Sequence, residues 1–255
     1  MEKGSNRMNI EFYPVNDAAK VFPPKPIKFE LPGWYKNLST FVGKYDSKEN
    51  YLNVNLGGDV KNLTPFTIKK CIPVLDYLTS GYLFYTSSDI FIRQNTDENG
   101  VKGFNWQTPD VNSGLIDTFS SHPHSQCPVS ISGTRYHYIK FGLSWRVKTP
   151  PGYSCLVYQP NYNFEDKFRL FPAIIDTDSF DSTFNIPGYV SHPELFLLKA
   201  GSPLVTIFPF KRDEWKMTIK DEVYHNNDIS NFFKISRNKF FEVYRDFFHS
   251  KKKYD

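Results

Sequence analysis

The sequence predicts a mainly β protein, either a closed barrel or a sandwich of short strands. Its 255 residues include 24 Phe, 16 Tyr and 4 Trp, which are residue types that suit pleated, half-buried strands. The 18 prolines divide short strands from one another, and strand-like runs recur between proline and glycine turns from residue 136 to residue 210. This length lies at the upper end for a single all-β domain, so we expect one domain with terminal extensions.

Charge and termini exclude several classes of protein. The 31 basic and 27 acidic residues give a net charge of +4 and are interspersed except at Lys251–Lys253, so a nucleic-acid surface is not indicated. The polar residues 1–7 are followed by no apolar run long enough for a signal peptide or a bilayer span. We therefore expect a protein that is neither secreted nor in a membrane, with Cys71, Cys127 and Cys155 as reduced, mostly buried thiols.

Residues 1–35 predict an extended arm rich in proline and aromatic residues. It holds one short strand candidate, Ile10–Pro14, and then the stiff run Phe22–Pro26 that leads to Leu31–Tyr35. Prolines at this density fix φ and remove backbone donors, so the arm should lie on the surface of its own domain or of a neighbouring subunit.

Residues 36–225 predict a single β-rich domain. A short helix is expected at Thr64–Ile72, ended by the proline that follows. Tyr82–Thr86 and Ile90–Ile92 are predicted to pair with each other, and residues 97–100 form the turn into Phe104–Trp106. The later strand candidates are Tyr136–Phe141, Ser144–Lys148, Ser154–Tyr158, Phe168–Ile175, Ser182–Asn185, Leu195–Leu198 and Leu204–Phe210.

Residues 226–255 change from a strand period to a helical one. Apolar residues from Ile229 to Phe247 fall at helical spacing with charged residues between them, which predicts a C-terminal amphipathic helix followed by a basic tail. Its apolar stripe should dock on the β domain, because acidic residues on the polar face do not suit a membrane surface.

Three blocks between Trp145 and Met217 carry a family resemblance. They are a TPPGY turn at Thr149–Tyr153, an IIDTD turn at Ile174–Asp178 and a G-x-P-x-x-x-I-x-P strand at Gly201–Pro209. Together they resemble a family of bacteriophage and bacterial proteins that has no established activity. The resemblance covers most of the chain and implies a virus-encoded protein of the host cytoplasm or virion.

The same blocks are similar, more weakly, to the β-clip fold of dUTPases and dCTP deaminases. That resemblance implies a β-clip or jelly-roll architecture, which often forms trimers, with Asp176 as a water-orienting carboxylate and Asp178 as its neighbour. The chain departs from the enzymes in having a Phe-rich segment where dUTPases have a glycine-rich C-terminal arm, and at two points within the blocks. Ser202–Leu204 replaces their Asp-Arg-Ile, and Val157–Tyr162 lacks their Arg-Ser-Gly phosphate motif.

Two small clusters are candidate sites. Asp176 and Asp178, two residues apart, could act as a general base and its neighbour, or could simply shape a turn, because Asp-Thr-Asp-Ser is a favoured turn sequence. His122 and His124 could bind a metal in an oxygenase-like barrel, or could be ordinary loop residues. Completing a metal site would need further ligands such as His137, His192 or Asp117.

Cys127 lies close to His124 in sequence, but nothing in the sequence orients it as a nucleophile, and a small buried thiol is the simpler interpretation. The sequence leaves any cofactor unknown, and it contains no P-loop, dinucleotide-binding or hydrolase elbow motif.

Three functional hypotheses follow. The first is a virus-encoded structural or interaction protein without catalysis, which associates with itself, as a trimer for example, or with other viral proteins. The second is a dUTPase-like enzyme or nucleotide binder with a degenerate site around Asp176. The third is a metal-dependent oxygenase that uses His122 or His124.

Overall fold

The computed structural model describes residues 8–40, 67–96, 98, 102–108, 119–122, 126, 137–160, 167–190, 196–221 and 244–255. Across these residues the protein is mainly β, as predicted, and its strands form several antiparallel sheets. None of the described sheets closes into a barrel. No helix in the described ranges has both the length and the apolar character needed to cross a bilayer.

The described residues form fourteen strands and two short α-helices. In chain order the strands are β1 (Glu11–Pro14), β2 (Lys25–Pro26), β3 (Tyr82–Tyr85), β4 (Ile90–Thr96), β5 (Lys102–Gln107), β6 (Phe119–Ser121), β7 (His137–Gly142), β8 (Trp145–Lys148), β9 (Tyr153–Tyr158), β10 (Phe168–Leu170), β11 (Ala173–Ile175), β12 (Asn185–Val190), β13 (Phe196–Leu198) and β14 (Pro203–Lys211). The helices are α1 (Gly33–Asn37) and α2 (Ile72–Thr79), and short 3-10 helices lie at Ala18–Val21, Ile27–Phe29 and Ile68–Lys70.

Four sheets contain all of these strands. The largest has the order β11-β9-β14-β3-β2, and the next has the order β10-β12-β7-β6. A three-stranded sheet runs β13-β4-β5, and β1 pairs with β8. Neighbouring strands are antiparallel throughout.

Strand β14 is the centre of the five-stranded sheet. It pairs with β9 on one side and β3 on the other, and its residues Leu204–Ile207 are all buried. Four consecutive buried residues require cover on both faces of the strand, which explains why this segment is continuously apolar and does not alternate. The end of β14 brings Lys211 opposite Tyr153 of β9.

Aromatic rings form the core of the four-stranded sheet. Phe141 of β7 is completely buried, and its ring centroid lies 4.9 Å from that of Phe119 and 5.3 Å from that of Phe168. Phe119 is the direct cross-strand partner of Phe141 in the pairing of β6 with β7. Cross-strand aromatic pairs of this kind stabilise a sheet beyond simple burial of area.

The helix predicted at Thr64–Ile72 is only partly as expected. Residues 64–66 lie outside the described residues, Ile68–Lys70 forms a short 3-10 helix, and α2 begins at Ile72, where the predicted helix ends. Pro73 lies in the first turn of α2, where its missing N–H costs no hydrogen bond.

The predicted β3–β4 hairpin is not formed, because β3 pairs with β14 and β4 pairs with β5 and β13. The strand at Glu11–Pro14 and the pairing of β4 with β5 are confirmed.

The chain groups into two compact units. One comprises Met1–Glu30 and Gly81–Glu214, and the other comprises Leu31–Ser80 and Trp215–Asp255. In the second unit, the C-terminal residues His249 and Lys252 contact the carboxylate of Asp76 at 3.0 Å and 2.6 Å. The division into an arm at 1–35, a domain at 36–225 and a C-terminal segment at 226–255 stays a prediction.

The N-terminal and C-terminal extensions are only partly as expected. The segment 8–35 holds β1, β2, two 3-10 helices and the start of α1, so it is more structured than an extended arm. Most of the predicted C-terminal helix lies outside the described residues. The part within the described residues forms a single π-helical turn at Tyr244–Phe248, in which Phe247 is 68% exposed.

Candidate functional site

The TPPGY segment forms the tight connection between β8 and β9. The backbone N–H of Tyr153 donates to the carbonyl of Pro150 at 3.2 Å, and Gly152 has φ +86°. Proline at the second position and a left-handed residue at the third define a type II turn, which explains the Pro-Gly pair. Because β8 and β9 belong to different sheets, the turn is a β-arch.

Asp176 and Asp178 lie in the turn that follows β11. The N–H groups of Ser179 and Phe180 both donate to the carbonyl of Asp176, at 3.1 Å and 2.8 Å. The turn predicted from Asp-Thr-Asp-Ser is therefore formed. The turn also brings both carboxylates to the end of the five-stranded sheet, beside the β8–β9 arch.

Arg212 joins the two turns in a cluster that we call the Arg212 clamp, formed by Arg212, Asp176 and Asp178. Its guanidinium binds the Asp178 carboxylate through both Nη atoms, with Nη1 2.9 Å from Oδ1. Nη1 also lies 3.3 Å from Asp176 Oδ1. Two groups from the arch complete the set: the Gly152 N–H donates to Asp178 Oδ2 at 2.8 Å, and the Ser154 hydroxyl donates to Asp176 Oδ1 at 2.6 Å.

The two aspartates of the clamp differ in their electrostatic environment and in their exposure to solvent. Hydrogen bonds from the Arg212 guanidinium and from the Gly152 amide hold the pKa of Asp178 well below its usual range, outweighing its desolvation. The same ion pair raises the pKa of Arg212. The side chain of Asp178 is only 9% exposed, whereas that of Asp176 is 61% exposed. Asp178 is thus fixed as an anion, while Asp176 presents an oxygen to solvent.

A buried pair of threonine hydroxyl groups lies next to the clamp, because Thr177 stands between the two aspartates in the chain. The Thr149 and Thr177 Oγ1 atoms are 2.7 Å apart, and the Thr177 hydroxyl donates to Cys155 Sγ at 3.3 Å. Burial raises the pKa of the Cys155 thiol to about 11, so this cysteine stays a neutral thiol at physiological pH. Cys155 is a free, buried thiol, as predicted, and Cys71 is free and half-buried. Cys127 lies outside the described residues.

An open depression of about 450 Å³ lies beside the clamp. We call it the Ile174 depression, and its lining is mostly apolar: Ile174, Ile175, Asp176, Ser179, Phe180 and Phe184. Ile174 is 65% exposed and Phe180 45% exposed, so two large apolar side chains face solvent at its rim. Such an apolar surface next to a carboxylate suits a ligand or a partner chain.

The histidine candidates are only partly described. His122 follows β6, its backbone N–H donates to the Tyr138 carbonyl at 2.9 Å, and its buried Nδ1 has no hydrogen-bond partner among the described residues. His137 lies on β7, while His124, His192 and Asp117 are outside the described residues. Among the residues that are described, no three His, Cys, Asp or Glu side chains come close enough to hold a metal.

Sequence reasoning missed Arg212 and Ser154 as members of the site. Arg212 lies 34 residues from Asp178 in the chain, and only the register of β14 against β9 brings it to the arch. The available signal in the sequence was the basic pair Lys211 and Arg212, which follows the last apolar strand candidate. The acidic partner of Arg212 could not be identified without knowing which strands are neighbours.

Comparison with known proteins does not assign this chain to a family. No protein-family model matches the chain, and no curated protein matches it.

Proposed function

We propose that this chain is a virus-encoded structural or interaction protein that works through contacts with other protein chains and not through catalysis. The state of Asp178 is the observation that carries the proposal. This carboxylate accepts two contacts from Arg212 and one from the Gly152 amide, so three of its roughly four acceptor positions are used within the fold. The resemblance to bacteriophage proteins supports a viral origin, with the host cytoplasm or the virion as the place of action.

A general base must accept a proton near neutral pH and must reach its substrate. Asp178 meets neither condition, because its pKa is lowered and its side chain is nearly covered. The hydrogen bonds and ion pairs of the clamp instead connect the arch, the Asp176 turn and the end of β14. This arrangement supports a role for the aspartate pair in shaping a surface.

The dUTPase-like alternative has one observation in its favour. Asp176 is 61% exposed at the rim of the Ile174 depression, and Arg212, whose side chain is 41% exposed, adds a cation beside it. A carboxylate and a guanidinium together could orient water and bind a phosphate. The order of the arch, the aspartate turn and the closing strand also keeps the β-clip architecture as a proposal.

Nucleotide binding separates these two functions. With deoxynucleoside triphosphates at about 1 mM, with and without Mg²⁺, we expect no change in Tm. A ligand present at about a hundred times its Kd would stabilise the fold by about 2.7 kcal/mol, so a site with a Kd near 10 µM would be detected. The exposed carboxylate Asp181 provides the matched control. A rise in Tm that Asp176→Asn abolishes and Asp181→Asn preserves would establish the enzyme-like site and overturn the proposal.

Particle composition tests the virion form of the proposal. We expect quantitative mass spectrometry of purified virus particles to find this chain in a fixed ratio to the other particle proteins. Its complete absence from particles, despite expression during infection, would restrict the protein to the host cytoplasm.

A further inference from the structure

Residues 8–30, which we call the N-terminal strap, supply edge strands to two sheets of one compact unit. In the first of these sheets β1 pairs with β8 over four residues, from Glu11 opposite Lys148 to Pro14 opposite Trp145. In the second, β2 pairs with β3 and ends the order of the five-stranded sheet within the described part of the chain. Among the described strands, β8 has no sheet neighbour other than β1. The strap therefore completes hydrogen bonding along the edges of β8 and β3.

Side chains of the strap also pack on the unit with which it pairs. The Phe12 ring lies edge-on to the rings of Tyr82 and Phe84, with centroid distances of 5.1 Å and 5.3 Å. The Phe22 ring lies so close to Gly201 that a Cβ at that glycine would come within 2.6 Å of it. Without a strap, both strand edges and these aromatic contacts lose their partners, so each unit needs one strap to be complete.

The chain joins the strap to the rest of its unit only through the other unit. The strap ends at Glu30 and its unit resumes at Gly81, so the 50 residues Leu31–Ser80 lie between them in sequence. The N–H of Ile27 donates to the carbonyl of Gly81 at 3.0 Å, which is a non-covalent connection across this gap. A strap from a second copy would make the same contacts, because the edges that it would occupy are identical.

The linker that follows the strap is short. Three residues, 30–32, separate the 3-10 helix Ile27–Phe29 from α1, which begins at Gly33. Pro32 fixes its own φ and restricts the backbone of Leu31, so the linker has few conformations in which to turn back. Short connections under such restriction favour the exchange of an element between copies.

We infer that the N-terminal strap exchanges between copies of this chain, so that the strap of one copy pairs with β8 and β3 of a second. The inference rests on the proposed function, because it names the partner as another molecule of this chain. Two copies that exchange straps form a closed symmetric dimer in which every edge is paired once. Passing each strap to the next copy around a ring forms a trimer through the same contacts.

Cysteines placed across β1 and β8 test for exchange in the full-length protein. Glu11 and Lys148 are direct partners in this ladder, and direct antiparallel partners have Cα atoms about 4.5 to 5.5 Å apart, within the range of a disulfide. One protein carries Glu11→Cys and another carries Lys148→Cys, so a bond between these positions can form only between chains. After the two are unfolded, refolded together and oxidised, we expect a covalent dimer of two 29.7 kDa chains. Peptide mass spectrometry should identify the bond between positions 11 and 148.

Two controls accompany the mixture. The double variant Glu11→Cys, Lys148→Cys should form the bond whether the strap lies on its own copy or on another, which checks the register of β1 against β8. Glu11→Cys mixed with Asn105→Cys should form no bond between these positions. Asn105 lies on β5, in a sheet with which the strap does not pair among the described strands.

The outcomes separate exchange from a strap that stays on its own copy. A bond in the double variant with none between the single variants would overturn the inference. No bond in the double variant would also overturn it, since β1 would then not pair with β8. Light scattering on the wild type refolded at high concentration should detect an oligomer, and a monomer at every concentration would contradict exchange. These outcomes leave the absence of catalysis untouched, because nucleotide binding tests it separately.

Discussion

Phe141→Ala is expected to lower the free energy of unfolding by about 3 to 5 kcal/mol, the range for deleting a fully buried phenylalanine. The Phe141 ring is 0% exposed and lies edge-on to Phe119 and tilted against Phe168, which hold it from both sides. Its removal takes away transfer energy and leaves a cavity that a sheet of paired strands cannot close. Thermal and urea denaturation would measure the loss.

The same substitution at an exposed ring is the control. Phe29 is 64% exposed, and Phe29→Ala should change stability by less than about 0.5 kcal/mol, as at other surface positions. Phe141→Leu, which retains most of the buried volume, should fall between the two. Equal effects of Phe141→Ala and Phe29→Ala would contradict the aromatic core of this sheet.

Asp178→Asn is expected to lower the Tm by several degrees at pH 7, because it removes the charge that Arg212 and the Gly152 amide bind. The effect should depend on pH in a defined direction. The folded-state pKa of Asp178 lies below the unfolded value of about 3.9, so its stabilisation is complete above about pH 5 and is lost as pH falls. The difference in Tm between wild type and variant should therefore narrow as pH falls from about 5 to about 2.

A double-mutant cycle with Arg212→Gln tests whether the clamp acts as one unit. The Tm loss of the double variant should be clearly smaller than the sum of the two single losses. Asp181→Asn removes a carboxylate that is 68% exposed and paired with Arg146, so its effect should be smaller at all pH values. Additive losses, or a gap in Tm that is constant with pH, would show that Asp178 does not stabilise the fold through Arg212.

Local sequence patterns predicted the parts of the site that depend on neighbouring residues. The Pro-Pro-Gly turn and the Asp-Thr-Asp-Ser turn are both formed, since a proline φ, a glycine φ of +86° and local hydrogen bonds decide their shape. The pairing of β3 with β4 was wrong for the opposite reason. Adjacency in sequence favoured a hairpin, but the buried surface of β14 provided a better neighbour for β3.

The sequence by itself determined a mainly β protein with two turns beside an acidic pair, because strand propensity and turn chemistry act over a few residues. Only the tertiary structure decided that Arg212 binds Asp178 and that, among the described strands, β11 ends the order of its sheet beside an apolar depression. Both depend on which strands lie side by side, and strand order is set by long-range burial that no local pattern encodes.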